Sequence, residues 1–254
     1  MHLCLILNPS KSEVMWVGSR SQLLSVDGVD SDLKIADATI KPSSTLKIVG
    51  VTLDSQLSFG EHISEVCRTS NFHLHALRHI RPFLDVSTAN MLACSIIGSR
   101  IDYCNSLFAG MSDYNVQRLQ RVQNLAAKIV LNAKGRVSVE PLLTKLHWLP
   151  VPKRIVYKVA LTTFKSVTTH NPHYLHTLLI PYSSSRTLRS SSQNFLSVPR
   201  HTTAFQSRAF SIYAPRIWNR LPQELRDLAY LPETMSSLAF HPGLSSFLEE
   251  NFPF

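Results

Sequence analysis

The chain has 254 residues, 44% of them hydrophobic, and 26 lysines and arginines against 17 aspartates and glutamates give it a formal net charge of +9. This apolar fraction can offset the entropy of ordering the chain, so the composition excludes a wholly disordered protein. The 14 prolines and 8 glycines show no Gly-x-y period, which excludes collagen. One large domain or two small ones fit this length.

The β structure is predicted at the beginning of the chain, within residues 1–54. Residues 13–17 form a short apolar run, 33–40 alternates loosely around a turn, and 46–53 is rich in β-branched side chains. Each run is short and is bounded by residues that favour breaks, such as proline and serine. We predict two or three antiparallel strands here.

Helical periodicity dominates the middle of the chain. Ser87 or Thr88 is the candidate N-cap of the second helix, and Asp113 is that of the third. Farther on, the Ser- and Arg-rich segment 181–192 predicts a loop, and another helix begins at about residue 207. The helices predicted in the middle of the chain span 61–84, 86–109, 113–132 and 152–169.

The positive charge is concentrated in this helical part. Residues 61–220 contain 20 basic and 6 acidic side chains, a net charge of +14, whereas 1–60 carries −1 and 221–254 carries −4. A polyanion is the natural partner of such a surface. The charge alone favours contact with nucleic acid over a surface that is merely basic.

Two of the predicted helices carry basic side chains away from their apolar stripes. On the third helix the cations project about 120° from the apolar stripe, at 3.6 residues per turn, and on the fourth they lie opposite it. The candidate phosphate-binding residues are Arg118, Arg121, Lys128, Arg154, Lys158 and Lys165. Ordinary solvated helix faces are the equally weighted alternative, because the pattern consists only of charge and periodicity.

The sequence lacks the motifs of common enzymes and metal sites. It has no Gly-x-Ser-x-Gly elbow, no Gly-rich phosphate loop and no adjacent Asp-Asp pair. The four cysteines form no CxxC pair, and His75 and His79, four residues apart, have no Asp, Glu or Cys close by, while His73 lies on a different helix face. Residue patterns therefore predict no catalytic residue, no metal site and no resident cofactor.

The sequence also lacks export and membrane signals. The first residues have no basic segment before a short apolar run, and the longest uncharged stretch, 166–185, contains His, Asn and Pro. We expect a nuclear or cytoplasmic protein that is not secreted and does not associate with a membrane.

Eight short motifs, taken in order, resemble one protein family. The first, Leu-Asn-Pro-Ser-Lys-Ser-Glu-Val, is similar to the strand that follows the catalytic Asp-Asp turn in reverse transcriptases of non-LTR retrotransposons. The second is similar to their primer-grip hairpin and the start of their thumb. The set resembles the C-terminal third of a LINE polymerase of the Jockey or chicken-repeat type. The motifs occupy 7–14, 46–63, 71–82, 99–105, 118–124, 146–150, 157–158 with 164–165, and 214–222.

The resemblance implies an α+β fold, in which the edge of a palm precedes a helical thumb that holds the template–primer duplex. The expected regions are a small antiparallel β segment at 1–58, a mostly α-helical, thumb-like bundle at 59–180, and a C-terminal region at 181–254 with a Ser/Arg loop and short helices. The implied partners are RNA or an RNA–DNA duplex, held through phosphates, and the upstream palm and fingers of the polymerase.

The resemblance also implies what this stretch of chain does not supply. In the family two metal-binding aspartates precede the motif that here contains Lys11, and no adjacent Asp-Asp pair occurs among the 254 residues. Lys11 itself is implied as an assisting residue, a cation and proton donor near the phosphates of the incoming nucleotide. We expect this chain alone to be inactive, with Mg²⁺ needed only by the full-length polymerase.

Four functional hypotheses follow from the sequence. The first is a reverse-transcriptase fragment that lacks the catalytic motif and retains a thumb that binds template and primer. The alternatives are a basic RNA- or DNA-binding module retained by a host, an inert translation of a decayed copy, and a truncated gene model of an active polymerase. The DNA upstream distinguishes these hypotheses: an in-frame Ala-Asp-Asp turn favours truncation, and stop codons or frameshifts favour decay.

Overall fold

The α+β architecture predicted from the sequence is confirmed, because a small antiparallel β element precedes a helical bundle. The computed structural model describes residues 8, 11–26, 32–35, 38–183, 193–231 and 233–251. The chain divides into two compact units, Met1–Arg68 and Thr69–Phe254, and the division falls inside a long helix. The greater part of the predicted region 59–180 therefore belongs to the same unit as 181–254.

The β element consists of two separate hairpins within the described residues. The stretch 46–53 forms two strands rather than one, because Val49 and Gly50 both adopt positive φ angles, 46° and 80°. Positive φ at both central residues is the geometry of a two-residue hairpin turn. The strands are β1 (Leu33–Ile35), β2 (Ala38–Ile40), β3 (Thr45–Ile48) and β4 (Val51–Asp54), and β1 pairs with β2 as β3 does with β4.

Two parts of the first unit differ from the prediction. Residues 13–17 do not form a strand, and only Val14 takes part in an isolated bridge. Helix α1 (Arg20–Val26) forms where β structure was expected. Ser19 and Gln22 explain its start: the Ser19 N–H donates to Gln22 Oε1 at 2.9 Å, and the Gln22 N–H donates to Ser19 Oγ at 3.4 Å. This reciprocal pair is a capping box.

Asp54 organises the turn between β4 and helix α2 (Gly60–Ile80). Its Oδ1 accepts the N–H groups of Gln56 at 3.1 Å and Ser58 at 2.9 Å, and its Oδ2 accepts the Phe59 N–H at 2.7 Å. One carboxylate thus satisfies three backbone donors just before the helix, where a negative charge is also favoured by the helix dipole. Helix α2 begins within one residue of its predicted start.

The second unit is a helical bundle. The helices predicted at 113–132 and 152–169 are confirmed to within two residues at each end. After the end of α2, its helices are α3 (Val86–Ala93), α4 (Ser99–Asp102), α5 (Asp113–Val130), α6 (Glu140–Lys145), α7 (Val151–Thr169), α8 (His173–His176), α9 (Phe210–Arg220), α10 (Gln223–Asp227) and α11 (Glu233–Asn251).

The predicted helix 86–109 is interrupted. A π-helical turn at Cys94–Gly98 separates α3 from α4, and Cys104 then adopts a left-handed backbone conformation with φ of 51°. A left-handed residue stops a helix from continuing. The remaining residues form a short 3₁₀ turn, Asn105–Phe108.

The N-caps predicted for α3 and α5 were wrong. Asp85, rather than Ser87 or Thr88, caps α3, because its Oδ1 accepts the Thr88 N–H at 2.9 Å. Ser112, rather than Asp113, caps α5. In both helices the cap is the residue just before the first helical one, from which a side-chain oxygen reaches the free N–H groups of the first turn.

The predicted loop at 181–192 lies outside the described residues from position 184 onward. After it, residues 195–198 form no strand, and Leu196 makes an isolated bridge with Pro181. The helix predicted from about residue 207 is α9, which begins at Phe210 after a 3₁₀ turn.

Three aromatic side chains from three helices form the centre of the bundle. The Phe164 ring of α7 stacks on the Phe240 ring of α11 at a centroid distance of 3.9 Å, and the Trp218 ring of α9 lies 6.3 Å from Phe240. All three side chains are buried. The Trp218 indole N–H donates to the Asn194 carbonyl at 2.9 Å, so its polar group is satisfied inside the core.

We predict that Phe240→Ala lowers the free energy of unfolding by about 3–5 kcal/mol, because it leaves a cavity between Phe164 and Trp218. Leu238→Ala is the matched control on the same helix, since Leu238 is 81% exposed, and it should change stability by no more than about 0.5 kcal/mol. Chemical denaturation followed by circular dichroism measures both variants. Equal effects of the two substitutions would contradict this account of the core.

Candidate nucleic-acid interface

Helix α5 presents its three predicted cations in different ways. Arg121 is exposed, and within the described residues it forms no ion pair. Arg118 is half-buried: its Nη1 donates to Asn115 Oδ1 at 3.3 Å, and its guanidinium carbon lies 5.6 Å from the centre of the Tyr114 ring. Lys128 is half-buried at the last turn of the helix. The three residues share a helix but differ in how far their charge is available to a ligand.

Lys128 lines a cleft of about 350 Å³ together with two arginines, one at the end of α2 and one just after it. Arg78 is exposed in the last turn of α2, and Arg81 begins the 3₁₀ turn after it. No carboxylate lies among the residues that line this cleft. We call Arg78, Arg81 and Lys128 the basic cleft.

The Arg81 side chain is held in place by the backbone. Its Nε donates to the Val130 carbonyl at 2.9 Å, and its Nη1 donates to the Leu84 carbonyl at 2.6 Å. These two bonds satisfy carbonyls near the end of α5 and after the 3₁₀ turn, and they fix a positive charge beside Lys128. Cations at helix C-termini also interact favourably with the helix dipole, which helps to place Arg78 and Lys128.

Helix α7 carries the other three predicted cations, and they divide into two kinds. Lys158 and Lys165 are exposed, and in the described part of the chain neither forms an ion pair. Arg154 instead contacts the protein: its Nη1 lies 2.5 Å from Asp102 Oδ2, and its Nε donates to the Leu149 carbonyl at 2.8 Å. The Arg154 side chain is 19% exposed. It therefore connects α7 to α4.

The Asp102 carboxyl responds to two opposing influences. Burial raises the pKa of Asp102 above its ordinary value, while the positive charges of Arg154 and Lys158 oppose this rise. The contacts to Asp102 and to the Leu149 carbonyl engage the Arg154 guanidinium within the bundle. The role of Arg154 as a phosphate contact stays a prediction, and Asp102 would compete with a phosphate for its guanidinium.

The structure brings Lys128 together with Arg78 and Arg81, but it does not place the α7 cations at that cleft. Arg78 and Arg81 were not among the six predicted residues, although both lie in the third motif at 71–82. Their spacing of three residues was visible in the sequence. Their proximity to Lys128 depends on tertiary packing.

Lys11 lies in the first unit, and its backbone N–H donates to the Asn8 carbonyl at 3.1 Å. Its side chain is exposed. The assisting role implied by the resemblance stays a prediction.

The described ranges carry neither a cluster of metal-ligating side chains nor a membrane-spanning helix. No group of three or more His, Cys, Asp or Glu side chains suited to a metal ion occurs among these residues. None of the described helices is long and apolar enough to cross a bilayer.

Comparison of the chain with protein-family models, with curated proteins and with solved structures gave no match.

We predict that Arg154→Ala lowers the free energy of unfolding by about 1–2 kcal/mol, because it removes the contacts to Asp102 and to the Leu149 carbonyl. Lys158→Ala, one turn farther along the same face of α7 and exposed, should change it by no more than about 0.5 kcal/mol. Urea denaturation of the two variants beside the unmodified chain makes the comparison. If Arg154→Ala is as neutral as Lys158→Ala, the Arg154 contacts do not stabilise the bundle.

Proposed function

We propose that this chain is a stretch of a non-LTR retrotransposon reverse transcriptase, and that its helical unit binds RNA or an RNA–DNA duplex through backbone phosphates. The ordered motifs described above support the assignment to the polymerase. The phosphate-binding role has a separate physical basis in the charged surface of the second unit, and the two parts of the proposal are tested separately below.

The basic cleft is the observation that carries the binding proposal. Three cations, from α2, from the 3₁₀ turn after it and from α5, line it with no carboxylate among its described lining residues, and the Arg81 guanidinium is already fixed by two backbone carbonyls. A side chain fixed before binding loses less entropy when a phosphate arrives. Guanidinium and ammonium groups are also the usual protein partners of phosphate oxygens.

Further exposed cations extend the surface over which a polyanion can be attracted. Arg121 lies on the solvent side of α5, and Lys158 and Lys165 lie on that of α7. Contacts of this kind supply affinity without reading sequence, and the affinity falls steeply as salt rises. We therefore propose that this surface binds a duplex without base specificity.

The proposal places polymerisation outside this stretch of chain. Two-metal phosphoryl transfer requires clustered carboxylates, which the family supplies from its palm. The upstream palm and fingers of the polymerase are accordingly the protein partner that we propose. A nuclear or cytoplasmic location belongs to the same proposal. Retention by a host as a basic RNA- or DNA-binding module would use the same surface.

We predict that Arg78→Glu and Lys128→Glu each weaken binding to a blunt RNA–DNA duplex. Each lost phosphate contact should also reduce the slope of log affinity against log salt by about 1. Fluorescence anisotropy over a series of salt concentrations measures affinity and slope together. Thermal unfolding of each variant verifies that the bundle is intact.

Lys41→Glu is the matched control for this measurement, because Lys41 is exposed in the first unit and the substitution changes the net charge equally. It should leave the slope within error of the unmodified chain. If the control variant loses as much affinity as the cleft variants, binding follows net charge alone and the basic cleft has no specific role.

We predict that the purified chain gives no extension of a primer annealed to an RNA template in the presence of Mg²⁺ and deoxynucleotides. The reason is that its 254 residues contain no adjacent aspartate pair that could form the family's catalytic turn. Gel analysis of a labelled primer makes the measurement, with an active reverse transcriptase as the positive control. Extension that is abolished by a chelator would contradict the proposal of an inactive fragment.

A further inference from the structure

A second and larger cleft lies between α5, α7 and α9, away from the basic cleft. Its volume is about 920 Å³, which is within the range of ligand-binding clefts in proteins. The lining is largely apolar, with polar and charged side chains from α5 and α9 among it. The apolar lining residues include Phe108, Met111, Ile155, Val156 and Ile217, and all five are buried.

Helix α9 contains most of the last motif, 214–222. The structure gives several residues of this motif a role in packing. Trp218 is buried in the core. Asn219 uses its side-chain amide as a backbone substitute: Oδ1 accepts the Leu196 N–H at 2.9 Å, and Nδ2 donates to the Leu196 carbonyl at 2.8 Å. The aromatic and amide residues of the motif therefore hold the segment around Leu196 against the bundle.

The two arginines of the motif are not buried in this packing. Arg216 and Arg220 are four residues apart on one face of α9, are exposed, and line the cleft. Within the described residues neither forms an ion pair, and the polar contact found for Arg216 is with His201, with 2.9 Å between Nη2 and Nε2. Their charge is available to a ligand in the cleft.

Tyr213 lines the same cleft, one turn before Arg216 on α9. It is half-buried, and burial raises the pKa of its hydroxyl while the Arg220 charge opposes the rise. An aromatic ring next to guanidinium groups is the combination that binds unpaired nucleotides, the ring stacking on a base and the arginines contacting phosphates. Among the described lining residues Asp113 is the one carboxylate, against two arginines.

We propose that this cleft, the α9 cleft, binds an unpaired segment of a nucleic-acid strand, with bases against Tyr213 and the apolar lining and phosphates on Arg216 and Arg220. This inference rests on the proposed nucleic-acid-binding function and adds a site for single strands to the site for duplexes. An acidic peptide would also match the arginines. We favour nucleic acid because the Thr69–Phe254 unit carries 20 basic side chains against 9 acidic ones, so its net positive charge suits a polyanion.

The test compares a blunt RNA–DNA duplex with the same duplex carrying a short single-stranded RNA extension, using fluorescence anisotropy and the full chain. The unmodified chain should bind the extended duplex at least about fivefold more tightly, the gain expected from stacking of one base. Arg216→Ala combined with Arg220→Ala should remove this gain and leave binding of the blunt duplex unchanged. Arg200→Ala, which removes an exposed arginine outside the cleft lining, is the control and should retain the gain.

Tyr213 provides an independent arm of the test. Tyr213→Phe retains the ring and should retain the gain. Tyr213→Leu removes the ring and should lower the affinity for the extended duplex by about fivefold or more. Because Tyr213 is half-buried, thermal unfolding of both variants verifies the fold, and the exposed arginine variants keep the test decisive if Tyr213→Leu unfolds.

The possible outcomes separate this inference from the proposed function. Tight binding of the blunt duplex without any gain from the extension overturns the α9 cleft and leaves the proposed function standing. No binding of either probe overturns the proposed function and removes the basis of this inference. A glutamate-rich peptide that displaces the extension as effectively as RNA of equal charge, with Tyr213→Leu having no effect, would identify the cleft as a site for acidic peptides and overturn the proposal.

Discussion

The burial of helix α7 is the constraint on which the helical unit depends. The Val151, Ile155, Val159 and Phe164 side chains are buried at successive turns, and α4, α5, α9 and α11 all pack against this helix. Burial of so many apolar groups is the main favourable contribution to folding. It also leaves one narrow stripe of α7 for polar residues. Lys158 and Lys165 occupy that stripe, so the packing that builds the bundle also determines where the charge of α7 can meet a ligand.

Helices with a regular apolar period could be predicted closely from the sequence, and elements defined by one or two turn residues could not. Helix α7 was placed within one residue, because its buried positions recur at helical spacing. The hairpin turn at Val49 and Gly50 gave a weaker signal, since a β-branched valine normally avoids positive φ. The start of α1 did have a signal, the capping box of Ser19 and Gln22, and reading 1–54 as β structure obscured it.

The candidate site shows the same division between local and tertiary information. Charge and periodicity correctly indicated that Arg121, Lys158 and Lys165 face solvent, because exposure follows from the position on a helix. They could not indicate that Arg154 is bound to Asp102, a residue 52 positions earlier in the chain. For the same reason they could not bring Arg78 and Arg81 to Lys128. Which cations remain available is decided by contacts between helices.

The last motif illustrates how a resemblance in sequence relates to function. Trp218 and Asn219 are explained by the fold, since one fills the core and the other hydrogen-bonds to the backbone of Leu196. A protein that kept only this packing would still show those two residues in the motif. Arg216 and Arg220 are different, because two exposed like charges four residues apart on a helix are mildly destabilising on their own. Their presence together in a cleft is therefore the part of the motif that packing does not explain, and an anionic ligand would offset that repulsion.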